Sequence, residues 1–205
     1  MYRKKNLFIF DLDGVLIDSL PNMKQALKKT SQNLNIRLNF NVYKKYIGLP
    51  FEEIMRNMGV KKDIQLIKKN YIFFSSQNLK KIKINNVNLR ILKKLKINSK
   101  LAIFTSKDSK RTNAIISKYK LFDFIVTSDD VRKGKPNPSG LFKIIKFFNF
   151  KKKDTYFIGD SYYDYKCASN AQVKYCHALW GYHKIKNYKN INKLKKLQQI
   201  LNFVK

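Results

Sequence analysis

Acidic residues are scarce in this chain, 13 of 205, and so are cysteine (2), histidine (2), proline (4) and glycine (7). Each shortage excludes something. Cys167 and Cys176 are too few for a disulfide framework, and with only His177 and His183 beside them they lack the spacing of a zinc site. Reduced thiols in a cytoplasmic protein are the expectation. Long apolar runs are missing too: nothing approaches the ~20 residues of a membrane span. The run Leu7 to Phe10 behind Arg3, Lys4 and Lys5 meets Asp11 too soon to be a secretory signal. What the chain does have is 44% hydrophobic and 14% aromatic residues, enough for a sizeable core and against disorder. Its length fits one compact domain, or one core with a small inserted lobe.

The shortage of acids leaves a formal net charge of +31, which raises a nucleic-acid or anionic-membrane reading. The excess consists of 38 Lys against 6 Arg, accompanied by 21 Asn and abundant Ile, Phe and Tyr, residue types that A- and T-rich codons encode. Interfaces that read phosphates favour the bidentate guanidinium of Arg. A compositional bias therefore accounts for the charge better than a polyanion-binding surface does. No specific nucleic acid and no membrane is expected as partner, and the residual field would attract small anionic substrates to a monomer or homodimer. A basic nucleic-acid-binding module stands as the alternative from another class.

Four short apolar runs read as buried parallel strands: Leu7–Phe10, Leu101–Phe104, Phe124–Val126 and Tyr156–Ile158. Segments of helical period lie between and after them, the clearest being Ile191, Leu194, Leu197, Leu201 and Val204 near the C-terminus. The alternation predicts an α/β fold with a Rossmann-like three-layer core and a mostly parallel sheet. The interval between the first two strands is about 60 residues longer than a βαβ unit needs. The surplus, residues 19–83, reads as an all-helical lobe inserted into a discontinuous core of residues 1–18 and 84–205.

Because acids are rare, their clustering is informative. Asp11 and Asp13 directly follow the first strand, and Asp160 and Asp164 follow the strand that ends at Gly159. In an open parallel sheet the carboxyl ends of the strands share one edge, where ligands bind, so these acids can converge. Asp-Leu-Asp-Gly alone would be an ordinary turn with capping acids. Placed after a strand and before the conformationally free Gly14, one carboxylate can attack as a nucleophile while the other serves as general acid and base. Converging carboxylates repel unless a cation holds them, and hard oxygen ligands suit Mg²⁺. Thr105 and Ser106, after the second strand, can hold a phosphate oxygen. Lys135 is one lysine of many, but Gly134-Lys135-Pro136-Asn137-Pro138 would fix it at a helix entrance, with Asn137 as N-cap and Pro138 as first helical residue.

In order and spacing, Asp11 to Ser19, Thr105, Gly134 to Pro138, and Gly159-Asp160-Ser161 with Asp164 resemble the four motifs of the haloacid dehalogenase superfamily. The resemblance implies that Asp11 is the nucleophile, that Asp13 is the acid/base, and that Asp11, the Asp13 backbone carbonyl and Asp160 bind Mg²⁺. It further implies that Thr105 and Lys135 hold the phosphoryl group and that Asp164 orients Lys135 or assists the metal. The inserted helices resemble the cap of the branch with phosphoglycolate phosphatases, β-phosphoglucomutases and pyrophosphatases, and Tyr46 to Glu53 resembles its substrate-specificity loop. The expected activity is a Mg²⁺-dependent phosphatase for a small phosphorylated metabolite, phosphoglycolate-like or a sugar phosphate, with a phosphomutase as the alternative. Phe51 stands where the mutases carry an arginine. Val15 and Gln172 depart from the phosphatase pattern at positions where threonine and glycine are usual.

Overall fold

The computed structural model describes residues 5–184, 188 and 191–204. Six strands form one all-parallel sheet: β1 (Asn6–Phe10), β2 (Ser99–Phe104), β3 (Phe124–Val126), β4 (Thr155–Gly159), β5 (Lys174–Ala178) and β6 (Asn192–Leu194). Their order is β3-β2-β1-β4-β5-β6, so β1 lies inside the sheet and is buried throughout. The pleat divides its side chains between two cores. Phe8 and Phe10 join one cluster with Leu92, Leu95, Ile115 and Ile200, whereas Leu7 and Ile9 join the other with Leu141, Ile144, Cys167 and Ala168. Helices α5 (Asn86–Asn98) and α6 (Ser109–Ile116) supply the first layer, and α7 (Ser139–Phe148) and α8 (Tyr162–Ala171) the second. This is the expected three-layer α/β architecture.

Between β1 and α5 run four helices: α1 (Leu20–Asn33), α2 (Phe40–Lys45), α3 (Phe51–Asn57) and α4 (Ile64–Ser76). They share a separate apolar cluster that includes Met23, Leu27, Tyr43, Phe51, Met55 and Tyr71. Leu79, Ile82 and Ile84, further along, already pack with the sheet. Among the described residues no helix is long and apolar enough to cross a membrane.

Two local expectations are corrected. Ile191 to Val204 is not one helix: Asn192–Leu194 forms the edge strand β6, and a 3₁₀ segment, Leu197–Phe203, follows. The outer edge of β5 has open backbone groups that β6 satisfies, with Cys176 opposite Asn192 and Ala178 opposite Leu194. Leu194, Leu197 and Ile200 still reach the core, so the apolar spacing served burial without helical winding. In the Lys135 loop, Pro138 is the N-cap of α7 and the helix begins at Ser139; Asn137 Oδ1 instead accepts a hydrogen bond from Ser139 N at 3.0 Å.

Gln172 ends α8 in the left-handed conformation, φ +59°, with its N–H donating to the Ala168 and Ser169 carbonyls. An L side chain pays roughly 1–2 kcal/mol there, which glycine does not. Gln172→Gly is therefore expected to raise the unfolding free energy by roughly 0.5–1 kcal/mol in urea denaturation, despite the loss of an exposed contact to Lys152.

Candidate active site

The strand order reverses direction between β1 and β4, and in a parallel sheet this places a crevice at their carboxyl ends. Asp11 and Asp160 follow these two neighbours directly, and Asp11 N donates to Ile158 O at 2.8 Å across them. Thr105 follows β2 on the other side of β1, and the loop after β3 brings Lys135. Asp164 arrives from the first turn of α8, where a capping box holds it: Ser161 Oγ accepts from Asp164 N, and Asp164 Oδ2 accepts from Ser161 N and Oγ.

Lys135 is fully buried at the centre of this arrangement. Its Nζ lies 2.6 Å from Asp11 Oδ1 and 2.8 Å from Asp164 Oδ1, with the rings of Phe104 and Phe157 each 5.2 Å away. Burial alone would depress its pKa, but the two carboxylates outweigh it and raise the value, so the ammonium stays charged. The Asp11 pKa rises too, but from burial, which pushes its carboxyl up to about 7 against the pull of Lys135. Burial, then Asp164 and Asp11, likewise raise Asp160 well above the usual carboxylate range.

Carboxylate oxygens of Asp11, Asp160 and Asp164 all lie within 4.8 Å of one another. Three buried carboxylates against one ammonium leave two formal negative charges in a low-dielectric pocket, a donor set and balance that fit a divalent cation with oxygen preference. The backbone is shaped for the same purpose. Gly14 has φ +85°, and a Cβ added there, or at Gly181, would collide with the Asp160 carboxylate. Asp160 Oδ2 accepts from Tyr182 N.

Asp13 is brought to the same crevice but turns its carboxylate away from the cation cluster. Its Oδ1 accepts from Ser19 Oγ and lies 3.2 Å from Lys107 Nζ. Thr105 Oγ1 accepts from Lys107 N at 3.2 Å. Ser106, expected to face phosphate, donates its hydroxyl to Gly48 O at 2.7 Å and so ties the Tyr46–Glu53 segment to the core. A small cavity of about 40 Å³ opens onto Asp11 and Asp13, walled by Thr105, Lys107 and Arg111 on one side and Tyr43, Phe51 and Tyr71 on the other.

Lys107, Arg111 and Tyr182 were not singled out by sequence reasoning. Lys107 is masked by 37 other lysines. Arg111 could have been noticed as the third residue after Asp108, the N-cap of α6. Tyr182 Oη accepts from Ser19 N at 2.6 Å and so pins the segment that positions Asp13; it follows a strand whose sequence, Lys174-Tyr175-Cys176-His177-Ala178, carries no apolar run.

Sequence comparison agrees with the geometry. The family profile of haloacid dehalogenase-like hydrolases matches residues 8–178. A phosphoglycolate phosphatase of Aquifex aeolicus is 28% identical over 188 residues, 87% of each chain, and the pyrophosphatase PpaX of Bacillus mycoides is 26% identical over 186 residues, 86% of this chain and 85% of its own. In fold, a hydrolase of Pseudomonas syringae superposes with a TM-score of 0.83 at 24% identity, covering 96% of both chains. The chain belongs to the haloacid dehalogenase-like hydrolase family, in its phosphatase branch.

Gly14→Ala is expected to cost about 1–3 kcal/mol of stability and to weaken divalent-cation binding at Asp160. Urea denaturation and cation titration calorimetry measure the two effects separately.

Proposed function

We propose that this chain is a Mg²⁺-dependent phosphatase acting on a small phosphorylated metabolite through an aspartyl-phosphate at Asp11. The observation that carries the reading is the convergence of Asp11, Asp160, Asp164 and Lys135 at the strand ends, beside a separately held Asp13. Asp11, Asp160 and the Asp13 backbone carbonyl would hold the cation, with Asp164 nearby. The bound ion would neutralise phosphoryl oxygens and keep Asp11 ionised.

The remaining work falls to side chains. Thr105 and Lys135 would hold the phosphoryl group, and Lys135 would offset charge as it builds there. An Asp11 oxygen attacks phosphorus while the ester P–O bond breaks, and Asp13 gives its proton to the departing oxygen. Asp13, now a carboxylate, takes a proton from water, whose oxygen attacks the same phosphorus; inorganic phosphate leaves and Asp11 is regenerated. Ser19 and Lys107 hold Asp13 in reach of both steps. Residues 19–83 would act as the cap over the site, excluding bulk water. The two cysteines are free and buried, in keeping with a reducing, cytoplasmic setting.

Asp11→Asn should reduce hydrolysis of a generic aryl phosphate on the order of 10³-fold or more, and chelation should abolish wild-type turnover until Mg²⁺ is restored. Phosphate-release assays with both proteins check this; substantial turnover by the variant would exclude the covalent route. Incubation with hexose 1-phosphate tests the mutase, which would give isomer without free phosphate.

A further inference from the structure

We infer that Arg111 is the positioning residue that holds the inserted lobe down over the candidate site. Its guanidinium ties α6 of the core to α4 of the lobe, and cutting that tie shifts the protein toward an open form in which Asp11 and Asp13 meet bulk water. The inference rests on the proposed role of residues 19–83 as a cap. Arg111 belongs to the first turn of α6, whereas Tyr71 and Ser75 lie one turn apart near the end of α4. All three side chains are buried, and Arg111, 7% exposed, is the only arginine that is so among the described residues.

The side chain is anchored in the core and reaches into the lobe. Asp108, the N-cap of α6, accepts from Arg111 N at 2.9 Å through Oδ1 and from Arg111 Nε through Oδ2. That ion pair meets the charge of the guanidinium, so what lies beyond it serves attachment. One terminal nitrogen donates to Ser75 Oγ at 2.9 Å, and the guanidinium carbon sits 5.3 Å from the centre of the Tyr71 ring. Both partners are braced inside the lobe. Ser75 O accepts from Asn22 Nδ2 of α1 at 3.1 Å, Ser75 Oγ donates to Ile72 O at 3.2 Å, and Tyr71 Oη accepts from Tyr43 Oη of α2 at 3.2 Å. Arg111 therefore grips a point where α1, α2 and α4 are already joined.

The bond from Ser106 Oγ to Gly48 O crosses the same boundary, but it joins a neutral hydroxyl to a carbonyl, and water replaces most of such a bond on opening. The Arg111 contacts differ in kind. A hydrogen bond from a charged donor and a cation over an aromatic face both strengthen where water is excluded. When the lobe lifts, Ser75 and Tyr71 leave with it, and Arg111 keeps Asp108. In the closed arrangement Tyr43, Phe51 and Tyr71 wall the cavity onto which Asp11 and Asp13 open. The contact that holds α4 thus also sets the wall facing both acids.

The test reads the position of the lobe directly. Gln65 of α4 and Arg132 of the core are exposed and line one cleft between lobe and core. Spin labels on Gln65→Cys and Arg132→Cys in the full-length protein report its width, while Cys167 and Cys176, both buried, stay unlabelled in the folded molecule. With Arg111 intact, one short-distance population should dominate. Arg111→Ala should shift the closed-to-open ratio toward open on the order of tenfold or more, Ser75→Ala should shift it less in the same direction, and Tyr71→Phe, which keeps the ring, should leave it near wild type. With Mg²⁺ and an aryl phosphate, kcat/KM should fall with the closed fraction across this series, chiefly through KM, because bound substrate restores closure. An arginine that merely supports the fold would lower stability in urea and leave the distances in folded molecules unmoved. Unchanged distances in Ser75→Ala, which loses one hydroxyl only, and in Arg111→Ala where it folds, overturn the inference, as does an open distribution with Arg111 intact. The expected shift in distance without Asp11-dependent turnover supports the inference and overturns the phosphatase reading.

Discussion

The ammonium of Lys135, buried between Asp11 and Asp164, is the contact on which the site depends. It joins the segments after β1, β3 and β4, which are far apart in sequence and meet only because the sheet places those strand ends on one edge. Removing one partner from such a buried set typically costs about 3–5 kcal/mol, because an uncompensated charge is left behind. The protein therefore keeps the triad only if the surroundings hold all three groups in place. They do so from several directions: the capping box fixes Asp164, the backbone bond to Ile158 fixes Asp11, and the Phe104 and Phe157 rings wall the lysine. The same phenylalanines belong to the core, so the site's electrostatics and the sheet's packing share side chains.

The topology that brings these charges together also separates their duties. Asp160 and Asp164 sit on or just after one strand end and form the cation cluster with Asp11. Asp13, two residues beyond Asp11, lies in the turn where Gly14 N donates to Ile17 O, and this turn swings its carboxylate toward Ser19 and Lys107. Two acids in one tetrapeptide thereby face different partners. One is buried beside an ammonium and a cation cluster; the other is held by a hydroxyl at the start of the inserted helices. Such divergence of environment is what lets two chemically identical groups take unlike roles.

Most of the core was legible because buried parallel strands are written as apolar runs, and Leu7–Phe10 and Tyr156–Ile158 show this plainly. Strand β5 was hidden, since Lys174, Tyr175 and His177 interrupt any run although four of its five residues are buried. The C-terminal stretch misled because an apolar repeat of three or four residues also fits a strand followed by a 3₁₀ turn when both pack on the same core. The motif residues Asp11, Asp13, Thr105, Lys135, Asp160 and Asp164 could be located because strands end just before most of them. Lys107, Arg111 and Tyr182 could not, since their importance comes from burial against partners up to 163 positions away, which no local pattern encodes.

Burial also resolves the meaning of the charge. Five of the 13 acids are buried, Asp11, Asp13, Asp108, Asp160 and Asp164, whereas among the described basic residues only Lys107, Arg111 and Lys135 are. Burial thus takes five acids but only three of these basic groups out of solvent, and the surface is correspondingly more basic than the overall count suggests. A surface lysine interacts through water and salt, with little energy per contact. A lysine held beside a carboxylate in a dry pocket interacts strongly and in one geometry. The chain's chemistry therefore does not scale with its net charge of +31; it resides in the few basic groups that burial has removed from that field and set against nearly all the acids that burial has gathered.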